Sequence, residues 1–587
     1  MSESGESNSQ KSAGMYSYKS DNNNNNNINN INNNIDENNN HISDNKPPVF
    51  ESEAMRRTLN EIKVDQNQNF RNINPSGKTF FPSGSLKERD YYTNGTIPLR
   101  SSQISVVIPP ESPLHWCFIL IYIILEVILI TLIATLFRWD KRNHPEYSCI
   151  PYNESLLNYT NLTISDLNIF DSIYLETEKE LTTYYDLFKD INIMAFVGFG
   201  MLHTLTKGNS WNSIAFNILS IVFSFQLNLF FDLIFENAFK ESWKFGVLNF
   251  QTFIEAIFHS CCILVSFGGI LGKVSHTQFL VLIISESILS SLNFKLCDEK
   301  LKIIDTGGSL YVHTFGAIFG FAVFIVLFRS KKKREKLRNY TKETITNNFS
   351  RMTCIVGILF MFSYFPSFNS SLALSDDQRY RCVINTYYAI IGSIASSFII
   401  SGFLNNGKFN YEHIFFGSFS GGIIISGCCS VCLDHWAALL LGMICGILCV
   451  IFLEYLSRLF FQFGFEDIYN ILIVHGIPGI LGAFITPMFI GDLGRRVDYI
   501  DYHLVLLNDM VRDNHAQAGI QVGGIFITLA IAFVGGITVG FLTKVARCGK
   551  IFSYYDDNEF FSEGMNEVTI NNNVTNLEDD NQPSFIK

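Results

Sequence analysis

The segments Asp305–Gly320, DTGGSLYVHTFGAIFG, and Asp467–Gly482, DIYNILIVHGIPGILG, share one pattern. In each, an aspartate precedes a histidine by eight positions, and a glycine follows the histidine by seven. The copies lie on the sixth and eleventh apolar stretches of membrane-spanning length, so they cross a membrane in opposite directions. Inverted repeats of this kind are typical of transporters, in which the substrate path lies between the two halves near the bilayer midplane.

The composition indicates a membrane protein rather than a soluble enzyme. Of the 587 residues, 48% are apolar and only 17% are charged, and the N-terminal region is polar, so the apolar residues are concentrated downstream. A net charge of −11 excludes a basic nucleic-acid-binding protein, because few cations remain to neutralise phosphates. The 13 cysteines lie mostly in apolar segments, which predicts small buried residues rather than a disulfide framework. We expect neither a cofactor nor a metal site.

Twelve apolar stretches have the length of a membrane span. Their approximate bounds are Leu114–Phe137, Ile191–Thr206, Asn212–Phe235, Phe250–Gly272, His276–Lys295, Gly308–Phe328, Ser350–Leu374, Tyr380–Leu404, Tyr411–Val431, Asp434–Phe460, Ile468–Ile490 and Ala516–Val545. The expected fold is therefore an all-α polytopic membrane protein, with an inverted repeat of five helices plus five and one extra helix at each end.

The polar segments divide the chain further. The N-terminal region has fourteen Asn between Asp21 and Asn40 and is predicted to be disordered, because it cannot bury enough apolar surface. The predicted segments are a cytoplasmic tail over 1–113, a first helix over 114–137, an extracellular glycosylated loop over 138–190, the first five-helix repeat over 191–329, a basic cytoplasmic loop over 330–349, the second repeat over 350–490, an extracellular loop over 491–515, the last helix over 516–545 and a cytoplasmic tail over 546–587.

Two features predict the orientation. The basic loop Arg329–Lys342 follows the sixth span, and the positive-inside rule places it in the cytoplasm with both termini. The loop after the first span then faces outward, and it contains glycosylation sequons at Asn153, Asn158 and Asn161. Basic residues just after the first span favour the opposite orientation, but the sequon cluster outweighs them. We expect an integral protein of the plasma membrane or of an endomembrane compartment such as a vacuole.

The two histidines of the repeat allow more than one interpretation. A polar side chain in hydrocarbon is costly, so each histidine must face protein or a water-lined path. Measured from the predicted span ends, His313 lies roughly 8 Å from the outer end and His475 roughly 10 Å from the inner end. The rings either meet or are satisfied separately, and the sequence leaves both readings open. Axial ligation of haem is disfavoured by the small residues around them, which are Gly307, Gly308, Gly316, Gly320, Gly476, Gly479 and Gly482.

Six blocks of sequence resemble the Rhesus-glycoprotein branch of the ammonium transporter superfamily. They are DINIMAFVGFG at Asp190–Gly200, FGGILGKVS at Phe267–Ser275, the copy at Asp305–Gly320, FPSFNS at Phe365–Ser370, INTYYA at Ile384–Ala389 and HGIPGILGA at His475–Ala483. The additional first helix and the sequon-bearing loop also fit this branch. The resemblance implies a homotrimer with one pore per subunit that conducts ammonium or ammonia.

The resemblance also implies roles for particular residues. His313 and His475 match the twin histidines of the family, which share a hydrogen bond and line a narrow apolar pore. Phe258 and Phe368 match the stacked phenylalanines that close its outer mouth.

The resemblance implies a role for the aspartates of the repeat, and Asp305 also allows a purely structural interpretation. By the resemblance, Asp305 matches a buried aspartate that orients the helix around the first histidine, with an influence on ion recruitment. Asp467 is its counterpart in the second copy. Asp305 is also suited to cap the N-terminus of a helix, which is compatible with that role.

The chain departs from the pattern of the branch at both ends of the expected pore. The branch usually carries amides before the second histidine, whereas this chain has Leu472, Ile473 and Val474, which predicts a drier inner path. Phe294 stands where outer vestibules tend to carry a carboxylate, so cation recruitment is less strongly expected. The remaining histidines of the spans are interpreted as structural: His203, His259, His413 and His435.

A dry pore that contains two imidazoles would distinguish ammonium from potassium by a simple mechanism. A dehydrated cation is very costly in a low-dielectric pore, whereas neutral ammonia needs only a few hydrogen bonds. Ammonium can lose a proton and potassium cannot, so such a pore rejects potassium without a size filter. Carbon dioxide would suit the same pore. The alternatives from other classes are an ammonium sensor built on a transporter-like bundle and a structural protein that assembles partners.

Overall fold

The structure is a computed structural model that describes residues 113–139, 182–205, 210–328, 348–462, 465, 467, 469–496 and 512–546. All of them lie in one unit, Val107–Lys587. Several predicted features lie outside the described residues: nearly all of the N-terminal tail, the sequons at Asn153, Asn158 and Asn161, nearly all of the basic loop, and the C-terminal tail.

Helices dominate the described residues, in twelve segments that we number α1 to α12. They are α1 Pro113–Leu136, α2 over 182–202, α3 Ser210–Lys240, α4 Phe250–Ile270, α5 His276–Lys295, α6 Ser309–Leu327, α7 Asn348–Ser370, α8 Asp376–Leu404, α9 Tyr411–Ser426, α10 His435–Gln462, α11 over 472–496 and α12 Asn514–Val545. Two three-residue strands, β1 Phe137–Trp139 and β2 Gly246–Leu248, pair in parallel. Ten of these described helices, all except α2 and α9, are long and apolar enough to cross a membrane. The prediction of an all-α polytopic membrane protein is confirmed.

Side-chain caps determine where several helices begin. Asn249 and Thr252 form a reciprocal capping box at the start of α4, and Ser275 and Gln278 form another at the start of α5. Three further helices, α8, α9 and α12, begin at single capping residues: Ser375, Asn410 and Asp513. These polar side chains satisfy amide groups that an apolar environment would leave unpaired.

The helix α2 begins earlier than the sequence indicates. It starts at residue 182, inside the segment 138–190 that the sequence predicts to be a loop. The first turns of α2 are polar, and an ion pair of 2.7 Å joins Lys189 Nζ to Asp186 Oδ1 across one turn. Apolar content marks only the part of a helix that lies in hydrocarbon, so it misses a polar extension of this kind.

Burial distinguishes the central helices from a peripheral one. In the most apolar window of α1, only 6% of residues are buried, whereas 89% are buried in that of α4.

Three helices that approach the centre of the bundle contain a π-helical turn. These turns are Met194–Phe199 in α2, Ser309–Thr314 at the start of α6 and Leu472–Gly476 at the start of α11. The two repeated motifs therefore lie on irregular helix starts within the bundle.

Candidate functional site

The two copies of the repeated motif hold their helices by the same hydrogen bond. Leu310 N–H donates to Asp305 Oδ2 at 2.8 Å, and the corresponding Leu472 N–H donates to Asp467 Oδ2 at 2.9 Å. Asp305 is only 5% exposed. Each aspartate thus satisfies an amide at the start of its helix, which lets α6 and α11 begin inside the protein rather than at its surface.

The turn between each aspartate and its helix is also the same in both copies. Gly308 N–H donates to the carbonyl of Asp305, and Asn470 N–H donates to that of Asp467, both at 3.1 Å. Gly308 and Asn470 both have left-handed backbone, with φ of +74° and +52°. Glycine and asparagine tolerate this conformation better than other residues. The inverted repeat therefore extends from sequence to backbone geometry.

The N-terminal halves of α6 and α11 cross closely. Ser309 Oγ donates to the carbonyl of Gly479 at 2.7 Å. A Cβ added at Gly479 would lie only 2.9 Å from the carbonyl oxygen of Ser309, and one added at Gly476 would lie 3.2 Å from the Cβ of Ala317. The absence of side chains at these glycines permits the crossing.

The crossing brings the two histidines into direct contact. His313 Nδ1 and His475 Nδ1 are 3.1 Å apart, and each residue is 1% exposed. In this contact one Nδ1 donates and the other accepts, so two neutral rings share one proton between them. The donating ring then has an Nε2 that accepts, and the accepting ring has an Nε2–H that donates. The pair therefore offers one acceptor and one donor to a small molecule.

Two phenylalanines close one side of the histidine pair. The rings of Phe258 and Phe368 are stacked, with centroids 4.2 Å apart and an interplanar angle of 2°. They are 2% and 0% exposed. The ring of His313 lies 6.2 Å from that of Phe368. These four rings form a continuous column.

Three more aromatic rings line the column, and the sequence assigns no role to them. Phe365 lies 6.0 Å from His313, while Phe419 and Phe199 lie 5.4 Å and 6.4 Å from His475. Phe365 and Phe199 occur in blocks that carry the family resemblance, so the sequence could have marked these two residues as candidates for the site. Phe419 occurs in none of these blocks, so nothing in the sequence distinguishes it from ordinary core.

Charged groups lie near the stacked phenylalanines. Phe294 stands where the Rhesus branch tends to carry a carboxylate, and its ring packs against that of His259 with centroids 5.1 Å apart. His259 Nε2 lies 3.2 Å from Asp232 Oδ2, and Lys295 Nζ lies 2.8 Å from Glu255 Oε2. Two carboxylates at this end thus come from α3 and α4, and each of these two has a basic partner.

The distance within the histidine pair does not fit axial ligation of haem. Imidazole nitrogens lie about 2 Å from a bound metal, so two axial ligands would be separated by about 4 Å across it. The two Nδ1 atoms are instead 3.1 Å apart. Within the part of the chain that the structure describes, no group of three or more His, Cys, Asp or Glu could hold a metal ion.

Comparison with known proteins identifies the family. The model of the Ammonium Transporter Family matches residues 158–551. The chain is 30% identical to the ammonium transporter Rh type C of Homo sapiens over 448 residues, which cover 74% of this chain and 87% of that protein. It is 28% identical to the ammonium transporter Rh type B-A of Xenopus laevis, over 76% of this chain and 91% of that protein.

Solved structures share the fold. Nitrosomonas europaea Rh50 superposes with a TM-score of 0.54 and 21% identity, over 68% of this chain and 97% of that one. A sensor Amt protein superposes with a TM-score of 0.50 and 17% identity, over 63% of this chain and 95% of that one. From the family match and the Rh-type relatives, this chain belongs to the ammonium transporter family and, within it, to the Rh branch.

Proposed function

We propose that this protein conducts ammonia, delivered as ammonium, along the aromatic column that has His313 and His475 at its centre. The observation that supports this best is the Nδ1–Nδ1 contact of 3.1 Å, buried between phenylalanine rings. Such a pair supplies hydrogen bonds to a small neutral molecule without presenting a fixed charge.

The column selects by the cost of dehydration. A cation that leaves water for an apolar passage loses many kcal/mol of solvation, far more than a neutral amine loses. Ammonium transfers a proton to water on the outer side of the stacked rings of Phe258 and Phe368, and it continues as ammonia. Potassium has no proton to release and is rejected there.

The histidine pair offsets the remaining cost for ammonia. Ammonia has three N–H donors and one lone pair. It can therefore donate to the accepting Nε2 of one ring and accept from the Nε2–H of the other. His313 Nε2 has no hydrogen-bond partner among the described residues, so this atom is available.

Asp305 and Asp467 act on the path as positioning residues. They bind backbone amides of α6 and α11 at 2.8 Å and 2.9 Å, three residues before each histidine. By holding the helix starts, they fix the distance between the two rings without contacting the substrate.

The orientation that fits this function has the Phe258–Phe368 end outside and both termini in the cytoplasm. Ser367 Oγ, next to Phe368, donates to Asp190 Oδ2 of α2 at 2.7 Å. The sequons lie in the chain that leads into this end of α2, so the glycosylated loop and the mouth share one side. We further propose that three copies assemble, each with its own path.

The test is ammonium and methylammonium flux into proteoliposomes that contain a pH-sensitive dye. His313→Ala and His475→Ala each remove a polar group from an apolar path, and we expect a loss of about tenfold or more, which corresponds to about 1.4 kcal/mol. His413→Ala is the matched control, because His413 is also buried but interacts with Glu454, at 3.4 Å. Wild-type flux in both pore variants would refute the proposal.

A further inference from the structure

We infer that Lys295 places its own ammonium group where a cationic substrate would otherwise bind, at the mouth closed by Phe258 and Phe368. The inference rests on the conduction proposed above and concerns the affinity of the mouth for cations. Lys295 is then a residue that determines specificity from outside the column.

The position of Lys295 follows from its partner on α4. Glu255 precedes Phe258 by three residues, so the two side chains lie on neighbouring positions of one helix face. Each residue of a helix rises about 1.5 Å, which places Glu255 about 4.5 Å nearer to the start of α4. Lys295 Nζ lies 2.8 Å from Glu255 Oε2. Its charge is therefore held about one helical turn outward of Phe258.

The groups around the Lys295 ammonium are those that recognise an alkylammonium ion. Besides the contact with Glu255, Nζ lies 3.9 Å from Glu236 Oε2 and 5.2 Å from the centroid of the Phe294 ring. Carboxylates pair with the charge, and the face of an aromatic ring attracts a cation within about 6 Å. Methylammonium carries the same –NH3+ group, so these surroundings would accept it in place of the lysine.

Lys295 is enclosed, whereas its two carboxylate partners open towards solvent. The side chain of Lys295 is 5% exposed, that of Glu255 is 16% exposed and that of Glu236 is 38% exposed. A buried charge needs a close partner of opposite sign. Within the described part of the chain, Lys295 is the basic residue that pairs with Glu255. In the wild type, Glu255 is therefore not free to attract ammonium.

The neighbouring carboxylates at this end have other partners. Asp232 Oδ2 lies 3.2 Å from His259 Nε2, and Glu236 Oε1 lies 2.7 Å from Lys240 Nζ. Loss of the charge of Lys295 would thus release Glu255 in particular. While Lys295 is present, the mouth does not hold a cation tightly, and potassium gains no advantage there.

The first test compares the KM of ammonium flux in proteoliposomes. In Lys295→Met we expect KM to fall about tenfold while maximal flux does not rise, because Glu255 then attracts ammonium to the mouth. Potassium should inhibit this variant and not the wild type. Addition of Glu255→Gln to Lys295→Met should restore the wild-type KM. Lys189→Met is the matched control, because Lys189 also pairs with a carboxylate, Asp186 at 2.7 Å, but is exposed.

Two further substitutions separate charge from packing. Lys295→Gln keeps a donor for Glu255 and much of the side-chain volume, so it serves if Lys295→Met does not fold, and it should also lower KM. Lys295→Arg keeps the charge and should have the wild-type KM. A purely structural ion pair between α4 and α5 predicts lower stability in the neutral variants without a lower KM. Wild-type KM in a folded neutral variant would overturn the inference.

The second test does not depend on transport. Lys295→Ala leaves room for a small cation, and a ligand that binds only the folded state raises the melting temperature. Methylammonium chloride should therefore raise the melting temperature of Lys295→Ala in detergent more than that of the wild type. Tetramethylammonium chloride at equal ionic strength should not, because it is bulkier and has no N–H donor.

The two tests also separate this inference from the proposed conduction. Flux without selective stabilisation of Lys295→Ala by methylammonium would refute the role of Lys295 and leave conduction intact. Selective stabilisation in a protein without flux would refute conduction and leave the cation site intact.

Discussion

At the scale of single residues, the contact between His313 and His475 restricts their protonation. The two Nδ1 atoms at 3.1 Å can share one proton. A second proton there would place two donors against each other in a buried site, where no carboxylate contacts either ring in the described residues. The pair is therefore suited to a neutral substrate and unsuited to a cation.

A fixed negative charge at this position should change the selectivity. We expect His313→Asp and His475→Asp to gain potassium conductance and to lose discrimination for ammonium, because an anionic site offsets part of the dehydration cost that excludes a bare cation. Potassium flux into liposomes measures this. His435→Asp, at an exposed residue, is the control and should remain impermeable to potassium. Potassium exclusion in both aspartate variants would argue against electrostatic selection at the pair.

At the scale of helices, the starts of α6 and α11 determine where the histidines lie. Both helices begin after a turn in which an aspartate carboxylate binds a backbone amide and one residue has left-handed backbone. This turn replaces the hydration that a helix start normally receives at the surface. Depths estimated from the ends of apolar stretches therefore do not apply, because these helices begin within the protein.

The left-handed turn should be sensitive to a side chain. In Gly308→Ala the new Cβ would lie 2.8 Å from Val312 Cγ2, and left-handed backbone costs an ordinary residue about 1–2 kcal/mol. We expect a clearly lower melting temperature in detergent, measured by the loss of the monodisperse size-exclusion peak after heating. Gly523→Ala, in α12, where a Cβ meets nothing within 4 Å, should melt no lower than the wild type does. Equal melting temperatures for the two variants would mean that the turn tolerates a side chain.

At the scale of the whole molecule, the proposed path lies between helices from both halves of the repeat. Its aromatic walls come from α2, α4, α6, α7, α9 and α11, whereas α1 remains at the periphery with 6% of its apolar window buried.

Glycosylation tests the proposed orientation. If Asn153, Asn158 and Asn161 face outward, endoglycosidase should lower the apparent mass of protein expressed in eukaryotic cells. Replacement of all three with Gln should remove most of that shift. The sequence Asn348-Phe-Ser on the opposite side should not contribute. An unmodified loop that only cytoplasmic reagents can reach would reverse the orientation.

The selectivity of the wild-type protein among ammonium, methylammonium and potassium tests the proposed deprotonation mechanism. Methylammonium retains a removable proton, so it should permeate and compete with ammonium, whereas potassium should do neither. Flux of each ion into proteoliposomes, with protein-free liposomes as the control, measures this. Comparable permeation of potassium and ammonium in the wild type would exclude selection by deprotonation.

The sequence by itself determined the fold class, the repeat and the family, since apolar length and motif spacing are local properties of the chain. It also marked His313, His475 and Phe368 through the motifs in which they occur, and Phe258 through the family resemblance. Only the tertiary structure decided that the histidines touch, because that depends on the crossing of α6 and α11 at Gly476 and Gly479. Contacts between remote segments are set by packing, and no local pattern of residues records them.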